Sequence, residues 1–334
     1  MAKAFRFAPS PNGFLHLGHA RSALLNQDLA RESGGRFLLR IEDIDQGRAR
    51  PLFETAIYED LAWLGLDWEQ PVRRQSEHFA DYAAALEQLD AMGLLYACDC
   101  KRSDIAAVAA ATPGWPRDPD GAPVYPGFCR AKPRRPARDV LRAGGVALRL
   151  DMEKAAAMFA VRTHPSPRHG RACPGHPRHD EQRGPVFDLA DIPSRASAPA
   201  GVDGRDKPGH DGLVGACFTE HGRGVICADP RLWGDVVLAR KDTPASYHIA
   251  VVVDDALQGV TDVVRGQDLF AATSLHRLLQ DLLGLPEPRY RHHPLITDAQ
   301  GEKLAKSRGS PSLRDLRAAG VAPDEVRRMA VGRV

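Results

Sequence analysis

The chain has 334 residues and a mass of 36.4 kDa, long enough for two modest domains or for one domain with a large insertion. Lys and Arg total 45 against 43 Asp and Glu, a net charge of +2, so composition by itself announces no nucleic-acid partner. A 43% hydrophobic share with 26% charged residues and no uncharged apolar run of about 18 residues excludes a disordered chain and a membrane-spanning helix. The opening Met-Ala-Lys-Ala-Phe-Arg-Phe runs straight into a strand-like segment, so no signal peptide is expected and the expected location is cytoplasmic. Six cysteines are too few for a disulfide scaffold, and three lie between Cys98 and Cys129, a grouping that suggests metal rather than oxidation.

In chain order, Ala4 to Ala8 predicts a strand. Pro9, Pro11 and Gly13 break it, and a helix begins near Leu17. The run from Arg36 predicts a buried strand that delivers Glu42 and Asp43 to a cleft. Amphipathic helices follow over Phe53 to Leu64 and Phe79 to Met92, the second with Phe79, Tyr82, Leu86 and Leu89 on one stripe. Gly145 to Asp151 predicts another strand. Between residues 160 and 215, Pro and Gly make up 16 of 56 residues against 56 of 334 overall, which predicts a loop or disordered tract. Within it Gly170 to His176 echoes Gly204 to His210 at an offset of 34, as inserted material would. Its five histidines and Cys173 match no usual metal spacing. Beyond Phe218, the valine-rich segments Asp235 to Arg240, Ile249 to Asp254 and Val260 to Arg265 predict strands, and Leu269 to Leu283 a helix. Alternating strands and helices predict an α/β fold with a mostly parallel sheet and ligands at the carboxyl ends of its strands.

Two short motifs carry candidate chemistry. His16-Leu17-Gly18-His19 sits where the first strand turns into the first helix, a place where backbone N–H groups and the helix dipole favour phosphate. Gly18 would let a nucleotide base approach the backbone. The same pattern also fits surface histidines capping a helix. Lys303-Leu-Ala-Lys-Ser307 lies in a polar turn, where lysines are commonly solvated.

Together, Pro9-Ser-Pro-Asn-Gly-Phe-Leu-His-Leu-Gly-His-Ala and Lys303-Leu-Ala-Lys-Ser resemble the two signatures of class I aminoacyl-tRNA synthetases. Arg6-Phe-Ala-Pro-Ser, Arg40-Ile-Glu-Asp, Leu64-Gly-Leu-Asp-Trp and the stretch from Val252 to Arg265 narrow the resemblance to the glutamyl and glutaminyl branch. It covers nearly the whole chain outside residues 160 to 215. Because 27 residues follow Ser307, the expected relative is the shortened family of glutamyl-Q tRNA(Asp) synthetases, which attach glutamate to queuosine in tRNA(Asp) and lack the anticodon-binding domain.

That resemblance implies a Rossmann-like doubly wound parallel sheet with an inserted zinc-containing α/β subdomain and a long irregular insertion. The implied division is 1–97 and 246–300 for two halves of a nucleotide-binding catalytic domain, 98–245 for the inserted subdomain and 301–334 for the lysine motif with short helices. His16, Gly18, His19 and Lys306 would bind ATP, and His16, His19, Lys303 and Lys306 would serve catalysis with Mg²⁺, Lys306 carrying more of the pyrophosphate charge than Lys303. Leu304 and Ala305 depart from the commonest form of the lysine motif, in which Met and Ser stand there. Arg6, Ser10, Glu42, Tyr247 and Arg265 would bind glutamate, the arginines reading carboxylates and Glu42 meeting the ammonium. Val251 stands where many glutamyl-tRNA synthetases have Asn. Without the resemblance, the alternative for Arg265 is an ion pair with Asp262 or Asp268.

Three thiols, Cys98, Cys100 and Cys129, suit structural Zn²⁺, although Cys-x-Cys is not the usual spacing and buried thiols are the plain alternative. In the resembled family a tyrosine supplies the fourth ligand, and Tyr125 stands in its place. Cys217 and Cys227 show no such pattern. Lys101, Arg102, Lys132, Arg134, Arg135, Arg138, Arg314, Arg317, Arg327 and Arg328 could meet RNA phosphates or form solvated faces. The expected partners are queuosine-bearing tRNA(Asp), glutamate and ATP, with no membrane, for a monomer. A truncated glutamyl-tRNA synthetase charging a 3′ end and a catalytically silent zinc-containing RNA-binding module are the alternatives.

Overall fold

A computed structural model describes residues 2–163, 215–296 and 311–331. Lys303, Lys306 and nearly all of the Pro/Gly-rich tract, with its repeat, histidines and Cys173, lie outside the described residues. In chain order the regular elements are β1 (Ala4–Phe7), α1 (Leu17–Glu32), β2 (Arg36–Ile41), α2 (Pro51–Trp63), β3 (Glu69–Arg74), α3 (Phe79–Ala91), β4 (Leu95–Cys98), α4 (Arg102–Ala111), α5 (Ala137–Ala143), β5 (Ala147–Leu150) and α6 (Met152–Thr163). After the tract come β6 (Ala216–Glu220), β7 (Gly224–Ala228), β8 (Val237–Ala239), α7 (Tyr247–Leu257), β9 (Asp262–Gly266), α8 (Ala272–Leu283), β10 (Arg289–His293), α9 (Leu313–Ala318) and α10 (Pro323–Val331).

A seven-stranded sheet runs β3-β2-β1-β9-β10-β6-β7, parallel except for the β6–β7 hairpin at its edge. The chain builds outward from β1 to β3, then returns to lay β9 on the other side of β1. That reversal opens a crevice at the carboxyl ends of β1 and β9, the usual ligand position in such sheets. A smaller antiparallel sheet, β4-β5-β8, carries the cysteine segment. Within the interval 98–245, β6 and β7 thus join the large sheet rather than the small one.

Strand alternation explains the two faces of the large sheet. Phe5 and Phe7 of β1 and Phe37, Leu39 and Ile41 of β2 pack against α1, α2 and α10 through Leu24, Ile57, Leu61 and Val326. The intervening Arg6 and Arg40 point to the opposite face, where α7 places two aspartates. A larger core joins α3, α7 and α8 to the small sheet through Leu86, Leu148, Leu238, Ile249 and Leu278. Tyr82, Leu86 and Leu89 of α3 are buried there, as their spacing predicts.

Ile249 to Asp254, expected as a strand, is the middle of helix α7. Every residue from Ile249 to Ala256 is buried, so the segment shows no amphipathic period, and its valines bias the reading toward a strand. Val251, 2% exposed, belongs to the core of that helix. Helix α6 continues to Thr163, past the start of the tract expected to lack structure. Cys217 and Cys227, directly opposite on β6 and β7, form a disulfide. Among the described residues no helix is long and apolar enough to cross a membrane.

Candidate active site

One cavity of about 460 Å³ lies at the crevice between β1 and β9 and brings together every described residue expected to bind ATP or glutamate: Arg6, Ser10, His16, Gly18, His19, Glu42, Tyr247 and Arg265. Leu295 and Ile296 line it as well. Beyond residues 297–310, Ser312 forms a bridge with His16, and the Leu313 N–H donates to the Leu15 carbonyl at 2.8 Å. The described chain on both sides of residues 297–310 therefore meets the cavity or its His16 wall.

His16 is the N-cap of α1, with its Nδ1 accepting from the Gly18 N–H at 3.0 Å; His19 Nδ1 accepts from the His16 N–H at 3.1 Å. The rings lie 3.9 Å apart, centroid to centroid. Because both Nδ1 atoms accept, the neutral rings carry their protons on Nε2, and the capping and cavity-lining readings hold together. A Cβ at Gly18 would lie 2.9 Å from His16 Cε1, so the missing side chain also makes room for the folded-back imidazole.

Elsewhere in the cavity lining, Arg6 is 5% exposed and donates to both oxygens of Asp255, at 3.1 and 3.4 Å. Arg40, fully buried, donates to the same Asp255 at 2.7 Å, to Gln258 at 3.0 Å and to Glu42 at 3.2 Å. Burial opposes the charge of Arg40, yet Asp255, Asp254 and Glu42 hold its pKa above the usual guanidinium value. Burial raises the pKa of Glu42, against the pull of Arg40 and Arg6. Burial lowers the acidity of Tyr247 at the start of α7.

Arg265 donates to the side chains of His276, His292 and Thr273 and to the Leu269 carbonyl. Asp262, one of the partners weighed for it, turns instead to Arg289 at 3.0 Å. Sequence reasoning missed His276, His292 and Glu220; their partners stand far along the chain, 72 residues in the case of Glu220 and His292.

At the end of β4, the ligand atoms of Cys98, Cys100 and Cys129 lie within 4.8 Å of one another. The Tyr125 hydroxyl stands 3.4 Å from Cys98 Sγ and 3.5 Å from Cys100 Sγ, and accepts the Cys129 N–H at 2.9 Å. Three soft thiols and one oxygen converging on a point fit a closed tetrahedral site; this donor set could hold a metal. Asp99 beside them receives Lys132 at 2.7 Å.

Of the basic residues expected near RNA, Lys132, Arg134 and Arg138 have acidic partners in Asp99, Asp90 and Asp139. Arg317 pairs with Glu59, Arg327 donates to the Leu64 carbonyl, and Arg314 lies over the Phe14 ring. Lys101, Arg102, Arg135 and Arg328 are exposed.

The family described as tRNA synthetases class I (E and Q), catalytic domain, matches residues 4–118 and 211–331, an alignment that leaves Tyr125 and Cys129 outside. A Rhodobacter capsulatus protein named glutamyl-Q tRNA(Asp) synthetase is 42% identical over 97% of this chain and 98% of its own length. A Deinococcus radiodurans protein of the same name is 38% identical over 96% of this chain and 85% of its own. The crystal structure of a glutamate-tRNA synthetase from Elizabethkingia anophelis superimposes with a TM-score of 0.68 at 22% identity, a likeness of fold. It covers 99% of this chain, which spans 61% of that longer protein. With the signature histidines, the switch-point cavity and these matches in hand, the chain belongs to the class I (E and Q) tRNA synthetases, among relatives named glutamyl-Q tRNA(Asp) synthetase.

Proposed function

We propose that this chain condenses glutamate with ATP to glutamyl-adenylate and then passes the glutamyl group to the queuosine of tRNA(Asp). The carrying observation is the single cavity in which two imidazoles at a helix N-terminus face two arginines and a glutamate. In the first step an oxygen of the glutamate α-carboxylate bonds to the α-phosphorus, and the bond to the bridging oxygen breaks, releasing pyrophosphate. Such a transfer depends on positioning and charge neutralisation more than on covalent help. His16 and His19 would donate from Nε2 to phosphate oxygens. Lys303 and Lys306, with Mg²⁺, would neutralise the departing pyrophosphate. Arg6 and Arg265 would read the carboxylates, Glu42 the ammonium, and Ser10 and Tyr247 would close the pocket. In the second step queuosine takes the acyl group and AMP leaves; the printed names of the relatives support this choice of acceptor.

Cys98, Cys100, Tyr125 and Cys129 would hold a Zn²⁺ ion. With no open position it would act as a cross-link, fixing the small sheet where RNA could approach. In this reading residues 98–245 form the inserted subdomain, except that β6 and β7 return to the catalytic sheet. The protein would act as a monomer in the cytoplasm, where tRNA is found.

Glutamate-dependent ATP–pyrophosphate exchange without tRNA is the expected activity; its absence at millimolar glutamate would favour a silent RNA-binding module. Charging should require queuosine. Equal acceptance by tRNA from a strain unable to make queuosine would overturn the assignment of the acceptor. Lys306→Ala should slow exchange by about a hundredfold or more with unchanged unfolding. Cys98→Ser should purify with little zinc; full metal content would remove Cys98 from the site.

A further inference from the structure

Arg265 is held by imidazoles, and the direction of each hydrogen bond can be assigned. Its Nε donates to His292 Nε2 at 3.1 Å, one terminal nitrogen to His276 Nδ1 at 3.1 Å, and the other to Thr273 Oγ1 at 2.8 Å and to the Leu269 carbonyl at 3.1 Å. A guanidinium only donates, so both facing ring nitrogens carry lone pairs. His276 then bears its proton on Nε2, which meets His248 Nδ1 at 3.2 Å. His292 bears its proton on Nδ1, which meets Glu220 at 2.8 Å, while the His292 N–H donates to the other Glu220 oxygen at 2.8 Å. The two imidazoles that grip Arg265 are therefore opposite tautomers, each fixed by a partner behind it. Arg265 comes from β9, Thr273 and His276 from α8, His292 from β10, Glu220 from β6 and His248 from α7.

Burial and the charge of Arg265 push the pKa of His292 down to about 4 and that of His276 well below 6.5, so the acceptor forms prevail at neutral pH. Four of the five guanidinium N–H groups are used within the protein. One N–H, on the terminal nitrogen that also meets His276, remains for the cavity that Arg265 lines.

We propose that His276 and His292 are positioning residues for amino-acid recognition: as neutral acceptors they aim the last N–H of Arg265 at a substrate carboxylate. Resting on the reading that Arg265 meets glutamate, this makes Arg265 a single-pronged contact rather than a two-pronged fork. His248 and Glu220 set the tautomers, and Thr273 and the Leu269 carbonyl anchor the far side of the guanidinium.

The test combines kinetics with ¹⁵N NMR of the histidine rings in the full-length chain. His276→Leu and His292→Leu should each raise the KM for glutamate on the order of tenfold in ATP–pyrophosphate exchange, with kcat and the KM for ATP within about twofold. His276→Asn places an oxygen near the former Nδ1, and His292→Gln one near Nε2; both should return the KM for glutamate to within about threefold of the original. No change in that KM on either Leu substitution, or failure of both amide variants to rescue it, would overturn the proposal. Should a Leu variant fail to fold, NMR of the unsubstituted protein decides: His276 unprotonated at Nδ1 and His292 unprotonated at Nε2 at pH 7 support it, and a proton at either position refutes it. Arg265→Gln separates the two layers. If it leaves the KM for glutamate unchanged, the pocket reading itself is wrong; if it raises that KM while the histidine variants do not, only the positioning inference falls.

Discussion

Two arginines line the same cavity in opposite electrostatic settings. On the β1 side, Arg6 lies against Asp255, a carboxylate it shares with the buried Arg40. On the β9 side, Arg265 is gripped by uncharged ring nitrogens, a hydroxyl and a carbonyl. A carboxylate partner offsets much of the positive charge a ligand would feel, whereas neutral acceptors fix the geometry and leave the charge available. One cavity thus holds one guanidinium beside a carboxylate and another among neutral acceptors.

Removing the counter-charge on the β1 side should have the largest effect. Asp255→Asn removes the carboxylate that Arg6 pairs with and one of the three around Arg40, and stability measured by urea unfolding should fall by about 3–5 kcal/mol. A loss under about 1 kcal/mol would show that Glu42 and Asp254 suffice.

Acid should expose the other side. Burial and Arg265 hold His248 and His292 near pKa values of about 4, below the ordinary 6.5. Between those values the unfolded chain binds more protons than the folded one, so stability is greatest above pH 6.5 and declines as pH falls toward 4. Asp60 acts in the opposite sense, because burial pushes its pKa up to about 6 and folding then favours the protonated acid. Melting temperatures from pH 7 to 4.5 should drop, and more steeply in Asp60→Asn, which lacks the opposing acid; a flat profile in both would contradict the neutral imidazoles.

The smallest effect belongs to an exposed control. Arg36 and Glu69 form a two-pronged pair with both side chains more than 40% exposed, so Arg36→Ala should cost at most about 1 kcal/mol in the same urea experiment.

The β1–α1 half of the cleft was legible because its signals are local. A short apolar strand, proline and glycine breaks and a histidine cap lie within one short stretch, and the parallel sheet follows from strand and helix alternation. The β9 half was legible only through Arg265. Its imidazoles come from α8 and β10, and Glu220 from β6, so no window of sequence unites them. Helix α7 was misread because a helix buried on all sides loses its polar stripe. Strand β10, with Arg289, Arg291 and two histidines among its five residues, hides because its polar composition masks the inward hydrogen bonds of His292 and His293. The disulfide of Cys217 and Cys227 depends on hairpin register, which cysteine spacing alone does not reveal.

Helix α7 begins with Tyr247 at the cavity and carries Asp255 eight residues later, about 12 Å along its axis. It therefore works as a ruler between the aromatic wall and the anion that seats two strands. Sliding it by a single turn would unseat both marks at once, so drift in this segment is constrained from both ends.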